Sequence, residues 1–248
     1  MTNLFTKGAN NAKTAKGADL GIENVILHLA PADLSGVMNA CPFASAGCRA
    51  ACLNTAGRGA FDSVQQGRIN KTRLFNADPE AFVHQLGSEI VSLVRRAEKN
   101  GKTAAVRLNG TSDIMWERIP YAGFDNLMLA FPHVQFYDYT KIPNRRNIPA
   151  NYDLTFSLSE SNDRHAIAAI ANGFRVAVVL DSIPETWGGY PVIDGDAHDF
   201  RFLDPAGVIV GLKAKGKAKK DGTGFVRSAD GGFNPNARLT LATLSGVA

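Results

Sequence analysis

Apolar positions along the chain change period in a regular way. Val25-Ile-Leu-His-Leu-Ala30 is a short apolar run closed by Pro31, which suits a buried strand. From Asp62 the spacing turns helical: Asp62 and Ser63 are N-cap types, and Val64, Ile69, Leu74 and Phe75 recur with Arg68, Lys71 and Arg73 between them. Asp78-Pro79-Glu80 then opens a second helix, whose stripe of Phe82, Leu86, Ile90, Leu93 and Val94 runs to the stop signal Asn100-Gly101. Beyond it the chain alternates. Strands are predicted over 103–108, 134–139, 152–158, 175–180 and 207–212, with helices around 121–130 and over 163–172.

Strand, polar turn and helix in repeated order argue for parallel βαβ units. The expected fold class is α/β: a partial or complete (β/α) barrel, TIM-barrel-like, with a parallel sheet and a Cys-rich loop after the first strand. Residues 1–20 are polar and lack a periodic apolar pattern, so they are expected to be a flexible lead-in to a single α/β barrel-like domain over 21–248. Within that domain the tail beyond Gly222 is rich in turn residues and predicts no element.

A chain of 248 residues, 45% hydrophobic and 20% charged, can bury one full core. It shows neither the apolar segment of a signal peptide nor a run near the roughly 18 to 20 apolar residues of a membrane span. A cytoplasmic protein with no membrane partner is expected. That compartment keeps thiols reduced, which changes how the cysteines are read. All three, Cys41, Cys48 and Cys52, fall in one twelve-residue window, and the rest of the chain has none. An odd number cannot pair off completely as disulfides. A closed structural zinc site usually takes four ligands, whereas three thiolates holding a [4Fe–4S] cluster leave one iron for a substrate, a small cofactor or another ligand such as His28. Cluster, zinc and unligated cysteines remain open at this level. Ala44, Ser45, Ala46 and Gly47 would let backbone N–H groups approach the sulfurs.

In parallel barrels the residues just past each strand's carboxyl end face the active mouth. That rule gathers Cys41, Cys48 and Cys52 with Asn109, Ser112 and Asp113, with Tyr137, Asp138, Tyr139, Thr140 and Lys141, with Ser157, Ser159, Glu160 and Asn162, and with Asp181. Asn109, Asp113 and Ser159 are also good helix caps, and that use competes with a common pocket. Asp113, Lys141 and Glu160 are the acid–base candidates.

Net charge is +4 with a sequence pI of about 9.0, compatible with a nucleic-acid or phosphate partner. Much of the excess lies in Lys213-Ala-Lys215-Gly-Lys217-Ala-Lys219-Lys220, which reads either as a solvated flexible loop or as a phosphate contact. Arg58, Arg68, Lys71 and Arg73 could balance a cluster's charge or meet an anionic ligand. Asp194, Asp196, Asp199 and Asp204 suggest a metal-dependent hydrolase or, more simply, a solvated turn.

The Cys loop, RINKTRLF at 68–75, VRLNGTSDIMWE at 106–117, FYDYTK at 136–141, FSLSESND at 156–163, and the VIDGDAHDFRFLDP and VIVGLKAKG stretches together resemble the uncharacterised phage gene product 88 family, from about residue 20 to about 227. More loosely, a Cys-rich loop after the first strand followed by N-G-T-S-D, T-K and S-x-S-E turns resembles radical S-adenosylmethionine proteins. That resemblance implies a [4Fe–4S] cluster on the three cysteines. It also implies S-adenosylmethionine near Asn109, Ser112, Asp113, Tyr137, Ser157, Ser159 and Glu160, and an enzyme acting on a small-molecule or nucleic-acid substrate. The spacing here, C-x6-C-x3-C, departs from that family's C-x3-C-x2-C, and its Gly-Gly-Glu strand end is absent. Cluster and cofactor are therefore separate expectations. The remaining alternative is a cluster- or zinc-bearing nucleic-acid-binding protein without catalysis.

Overall fold

In the computed structural model, which describes residues 3–8, 15 and 19–236, two long helices precede most of the sheet. The strands are β1 (Phe5–Lys7), β2 (Ile22–Leu27), β3 (Thr103–Arg107), β4 (Gln135–Thr140), β5 (Tyr152–Ser157), β6 (Val176–Leu180), β7 (Thr186–Trp187), β8 (Tyr190–Asp194) and β9 (Ile209–Lys213). The α-helices are α1 (Ala46–Ala50), α2 (Asp62–Ala77), α3 (Pro79–Lys99), α4 (Leu127–Ala130) and α5 (Asp163–Ala171). α3 begins as its sequence predicts: the Asp78 side chain accepts the Ala81 N–H, Pro79 occupies the first turn, and Asn100 closes the helix. Its apolar stripe of Phe82, Leu86, Ile90 and Leu93 packs with Val25, Leu27, Val106, Phe136 and Leu154 of the sheet in the largest core cluster.

The sheet runs β1-β2-β3-β4-β5-β6-β9-β8-β7. β2 to β6 are parallel neighbours in chain order, β9 and β8 continue parallel, and β1 and β7 are antiparallel edges. From β2 to β6 every connection steps the same way, and right-handed crossovers of that kind keep their helices on one face. The other face is covered near its middle by Phe200 and Phe202, packed with Ile22, Ala105 and Tyr137. The sheet is open, so of the partial or complete barrel expected the complete form does not arise. Among the described residues no helix is long and apolar enough to cross a membrane.

Residues 5–7, inside the expected flexible lead-in, form β1 against β2. The reason is a set of contacts distant in sequence: the Leu4 and Phe5 amides donate to the Glu89 carboxylate at 2.8 and 3.0 Å, and Lys71 Nζ donates to Leu4 O at 3.0 Å. The Cys-bearing segment therefore follows the second strand, and that strand lies three residues earlier than the apolar run suggested. The helix expected around 121–130 shrinks to α4, because Tyr121 and Phe124 close a tight turn with Ala122 and Gly123 at positive φ. β7 and β8 carry no strong apolar alternation, which leaves them without a sequence signal.

Buried polar groups tie the strands together at their carboxyl ends. Asp138 on β4 is 1% exposed; its Oδ1 accepts the Asn109 N–H at 2.7 Å and its Oδ2 accepts the Tyr152 hydroxyl at 2.8 Å. Burial pushes its carboxyl up to about 7 against the opposing pull of Arg107 and these two donors. A folded-state value raised in this way contributes stability that is complete in acid and is lost as pH rises through about 7. The stability of the wild type relative to D138N is expected to fall between about pH 4 and pH 7 and then to level off. Urea unfolding at fixed ionic strength reads this, and a difference that stays constant across the window would show Asp138 ionised throughout.

Candidate functional site

The chain between β2 and α2 is laid across the carboxyl ends of the next strands. The Asp113 N–H, after β3, donates to Ala40 O at 2.8 Å, which fixes the residue before Cys41. The Cys41 thiol lies 3.7 Å from Thr111 O. Cys48 sits within the five-residue α1, whose N-cap Ser45 accepts the Cys48 N–H at 3.2 Å. Cys52 caps the short 3-10 turn Leu53–Thr55, its sulfur accepting the Asn54 N–H at 3.5 Å.

Glu160, past the end of β5, holds α1 in place. Its Oε2 accepts the Ser45 hydroxyl and its Oε1 the Gly47 N–H, each at 2.7 Å. The sequence marked Glu160 as an acid–base and cofactor candidate; here both carboxylate oxygens serve the cysteine segment. Gly47 is required by the same contact, since a Cβ there would lie 2.3 Å from Thr223 Oγ1 and 2.8 Å from the Glu160 carboxylate.

Lys141, just past β4, points its ammonium at Ser157 Oγ (2.9 Å) and within hydrogen-bonding reach of the Cys48 thiol. Burial opposes its charge, but Cys48, Asp113 and Cys41 prevail and hold it above its ordinary value. The thiols respond in the opposite sense. Burial, aided by Asp113 and the other two sulfurs, pushes Cys41 up to about 12 despite a hydrogen bond from Ala32. Burial and Cys48 also raise Cys52, opposed by the Asn54 N–H, Lys141 and Arg68. The three sulfurs are thus in electrostatic reach of one another. Arg68, buried on α2, donates to Asn54 Oδ1 beside Cys52, whereas Lys71 is spent on Leu4 O and Arg73 donates to Ser35 O.

The other predicted residues divide clearly. Asn109 is 2% exposed and is consumed by its own turn: Oδ1 accepts from Ser112 Oγ, Ile114 N and Trp116 Nε1, and Nδ2 donates to Ile114 O. Asp113 accepts from Thr140 Oγ1 at 2.8 Å and Lys141 N at 2.7 Å, linking the turn after β3 to the end of β4. Burial raises its carboxyl against these donors. Tyr137 lies on the sheet face covered by Phe200 and Phe202, its hydroxyl 3.4 Å from Asn24 Nδ2. That face is separate from the cysteines. Ser159 donates its N–H to Asn162 Oδ1, while its hydroxyl is buried without a partner. His28 packs against Gly110, and burial together with Arg68, Arg107 and Lys71 lowers it to about 3, leaving a neutral ring.

The four aspartates of the possible hydrolase site do not converge. Asp194 accepts the Asp196 N–H, Asp196 pairs with Lys215 at 2.8 Å, Asp199 with Arg107, and Asp204 with Arg201 at 3.1 Å. Among the described residues no group of three or more His, Cys, Asp or Glu is arranged to hold a metal ion.

Residues 221–227 cover the site from the carboxyl end of β6, a role the turn-rich composition concealed. The Asp221 carboxylate accepts the N–H groups of Thr223, Gly224 and Val226. Phe225 packs with Ala51 and Ala218 against Cys48, and the Lys141 ammonium lies 5.8 Å from the Phe225 ring. Arg227 donates to Ser159 O and Asp163 Oδ2, anchoring the cover to the start of α5.

Fold and site together define an open α/β protein with a mostly parallel sheet and three thiols at its carboxyl edge. The chain belongs to the Gene product 88 family, whose sequence profile matches residues 3–229. No curated protein and no solved structure matches it.

Gly47→Ala is expected to cost about 1–3 kcal/mol, because the added methyl must displace the carboxylate that caps α1. Gly222→Ala, with nothing within 4 Å of the new methyl, should stay within about 0.5 kcal/mol of the wild type. Chemical denaturation of the two variants side by side checks the contrast.

Proposed function

We propose that this chain is an iron–sulfur protein in which Cys41, Cys48 and Cys52 hold a [4Fe–4S] cluster at the carboxyl edge of the sheet. The observation that carries this reading is convergence: three separately anchored thiols come within electrostatic reach of one another beside the inward-turned Lys141. Ligands of one ion must crowd around a single centre, whereas thiolates of a cluster each take a different iron. Burial holds Cys41 and Cys52 protonated at neutral pH, so loading requires proton release, and the cations of Lys141 and Arg68 favour the deprotonated sulfurs.

A cluster held this way supplies one-electron chemistry and an iron free of protein thiolate, open to a substrate or small cofactor. The strand order, stepping one way from β2 to β6, supports a partial-barrel reading with the mouth at this edge. Lys141 is the group placed to hold or move a proton there. Glu160, Asp113 and Asn109 are positioning residues: the first holds α1, the second holds the backbone of Lys141, and the third shapes the turn after β3. S-adenosylmethionine is a narrower reading. Ser157 and the unpartnered hydroxyl of Ser159 support it, while the hydrogen bonds of Asn109, Ser112, Asp113 and Glu160 are spent within the fold.

Anaerobic reconstitution with iron and sulfide is expected to give a brown protein with about four iron and four sulfide per chain. C41A, C48A and C52A should each lose most of both, and K141M should load but with an altered electron paramagnetic resonance spectrum after reduction. A colourless chain, or one that takes up zinc in preference to iron, would overturn the reading.

A further inference from the structure

The basic segment after β9 is more than a solvated loop. Residues Gly216–Lys220 form a 3-10 turn whose Ala218 is buried against Ala51 and Phe225, so Lys217, Lys219 and Lys220 are turned outward from a fixed base. This turn packs on the Leu53–Thr55 turn that follows Cys52, with Gly216 so close that a Cβ there would lie 2.9 Å from Ala56 Cβ. Arg58, exposed, follows on the next 3-10 turn, Gly57–Ala60, which packs in turn on Leu53–Thr55. None of these four cations has a carboxylate partner among the described residues, in contrast to Lys215, which is held by Asp196. The nearest acid in sequence, Asp221, is occupied by backbone N–H groups of its own loop. Beside Arg58 stands Phe61, 61% exposed at the start of α2, an aromatic ring that the core does not use.

We propose that this surface binds a single strand of nucleic acid and presents it at the cysteine site, which names a substrate class for the iron–sulfur reading and rests on that reading only for what the strand is brought to. Unpaired cations bordering an exposed aromatic ring match what a single strand offers: phosphates for the charges and a base face for the ring. A duplex reader instead inserts a helix or a two-stranded ribbon into the major groove, and this surface is built of short turns.

The test uses the full chain, prepared anaerobically, and fluorescence anisotropy with labelled oligothymidylate over a salt series. Wild-type binding should weaken steeply with salt, and a duplex of equal length should bind more weakly than the single strand. The K217Q/K219Q/K220Q variant should lower the magnitude of the log–log salt slope by about 2. F61A should weaken binding roughly 5- to 100-fold at fixed salt and leave the slope unchanged. Equal binding of duplex and single strand, or wild-type affinity in both variants, would overturn the inference, as would loss of binding in the lysine variant alone. Iron and sulfide content, measured on the same preparations, separates the two readings. A loaded chain that does not bind the strand overturns only this inference, and a chain that binds the strand but takes up no iron overturns only the cluster.

Discussion

Parallel strands that step in one direction across a sheet deliver every strand-to-helix turn to the same edge. From β2 to β6 this chain obeys that constraint without a reversal. A reversal would have opened a crevice between two strands for a ligand, as in doubly wound folds. Its absence means the edge itself must be built up, and the long segment between β2 and α2 is folded over it to do so. The thiols, the Lys141 ammonium and the Glu160 carboxylate meet because topology brings their turns together, although 119 positions separate Cys41 from Glu160.

The polar residues at that edge answer two demands at once. A buried polar group needs a partner, and an unpaired buried charge costs far more. Asp138, Asp113 and Asn109 meet this demand within the fold, accepting from backbone amides and neighbouring hydroxyls. Glu160 satisfies itself and the N-terminus of α1 together. The residues that look like a pocket in the sequence thus also make these hydrogen bonds within the fold. Lys141 is different: Cys48 is its strongest charged neighbour, followed by Asp113 and Cys41, so its charge lies beside the thiols.

Much of the fold was legible because local signals were strong. Asp78-Pro79, a continuous apolar stripe and Asn100-Gly101 defined α3 almost to the residue. Six of the parallel strands, β2 to β6 and β9, are recognisable from apolar runs between polar turns. β1 was not, because its order comes from Glu89 and Lys71, side chains some 65 to 85 residues away that local composition cannot report. Tyr137 shows the limit of strand-end reasoning. It lies in the middle of β4 rather than past its carboxyl end, and because side chains alternate across a strand its own side faces Phe200 and Phe202. The cover formed by residues 221–227 was hidden for a related reason, since Asp221, Thr223 and Gly224 read as a solvated turn until Phe225 is seen against Cys48.

The cysteines were the strongest signal in the sequence, and structure changes what their spacing means. C-x6-C-x3-C is wider than a compact metal motif, and the extra residues are used: Ser45 and Gly47 bind Glu160, and Ala51 packs under the cover with Phe225. The loop is long because it must both carry thiols and reach the next strand ends. Burial then sets their chemistry, keeping Cys41 and Cys52 as thiols until something cationic displaces their protons. A segment held only for stability would gain nothing from gathering three such groups around Lys141. The segment is tied to the turns after β3 and β5 and covered by residues 221–227, so the three sulfurs are carried by a framework that distant parts of the chain hold in place.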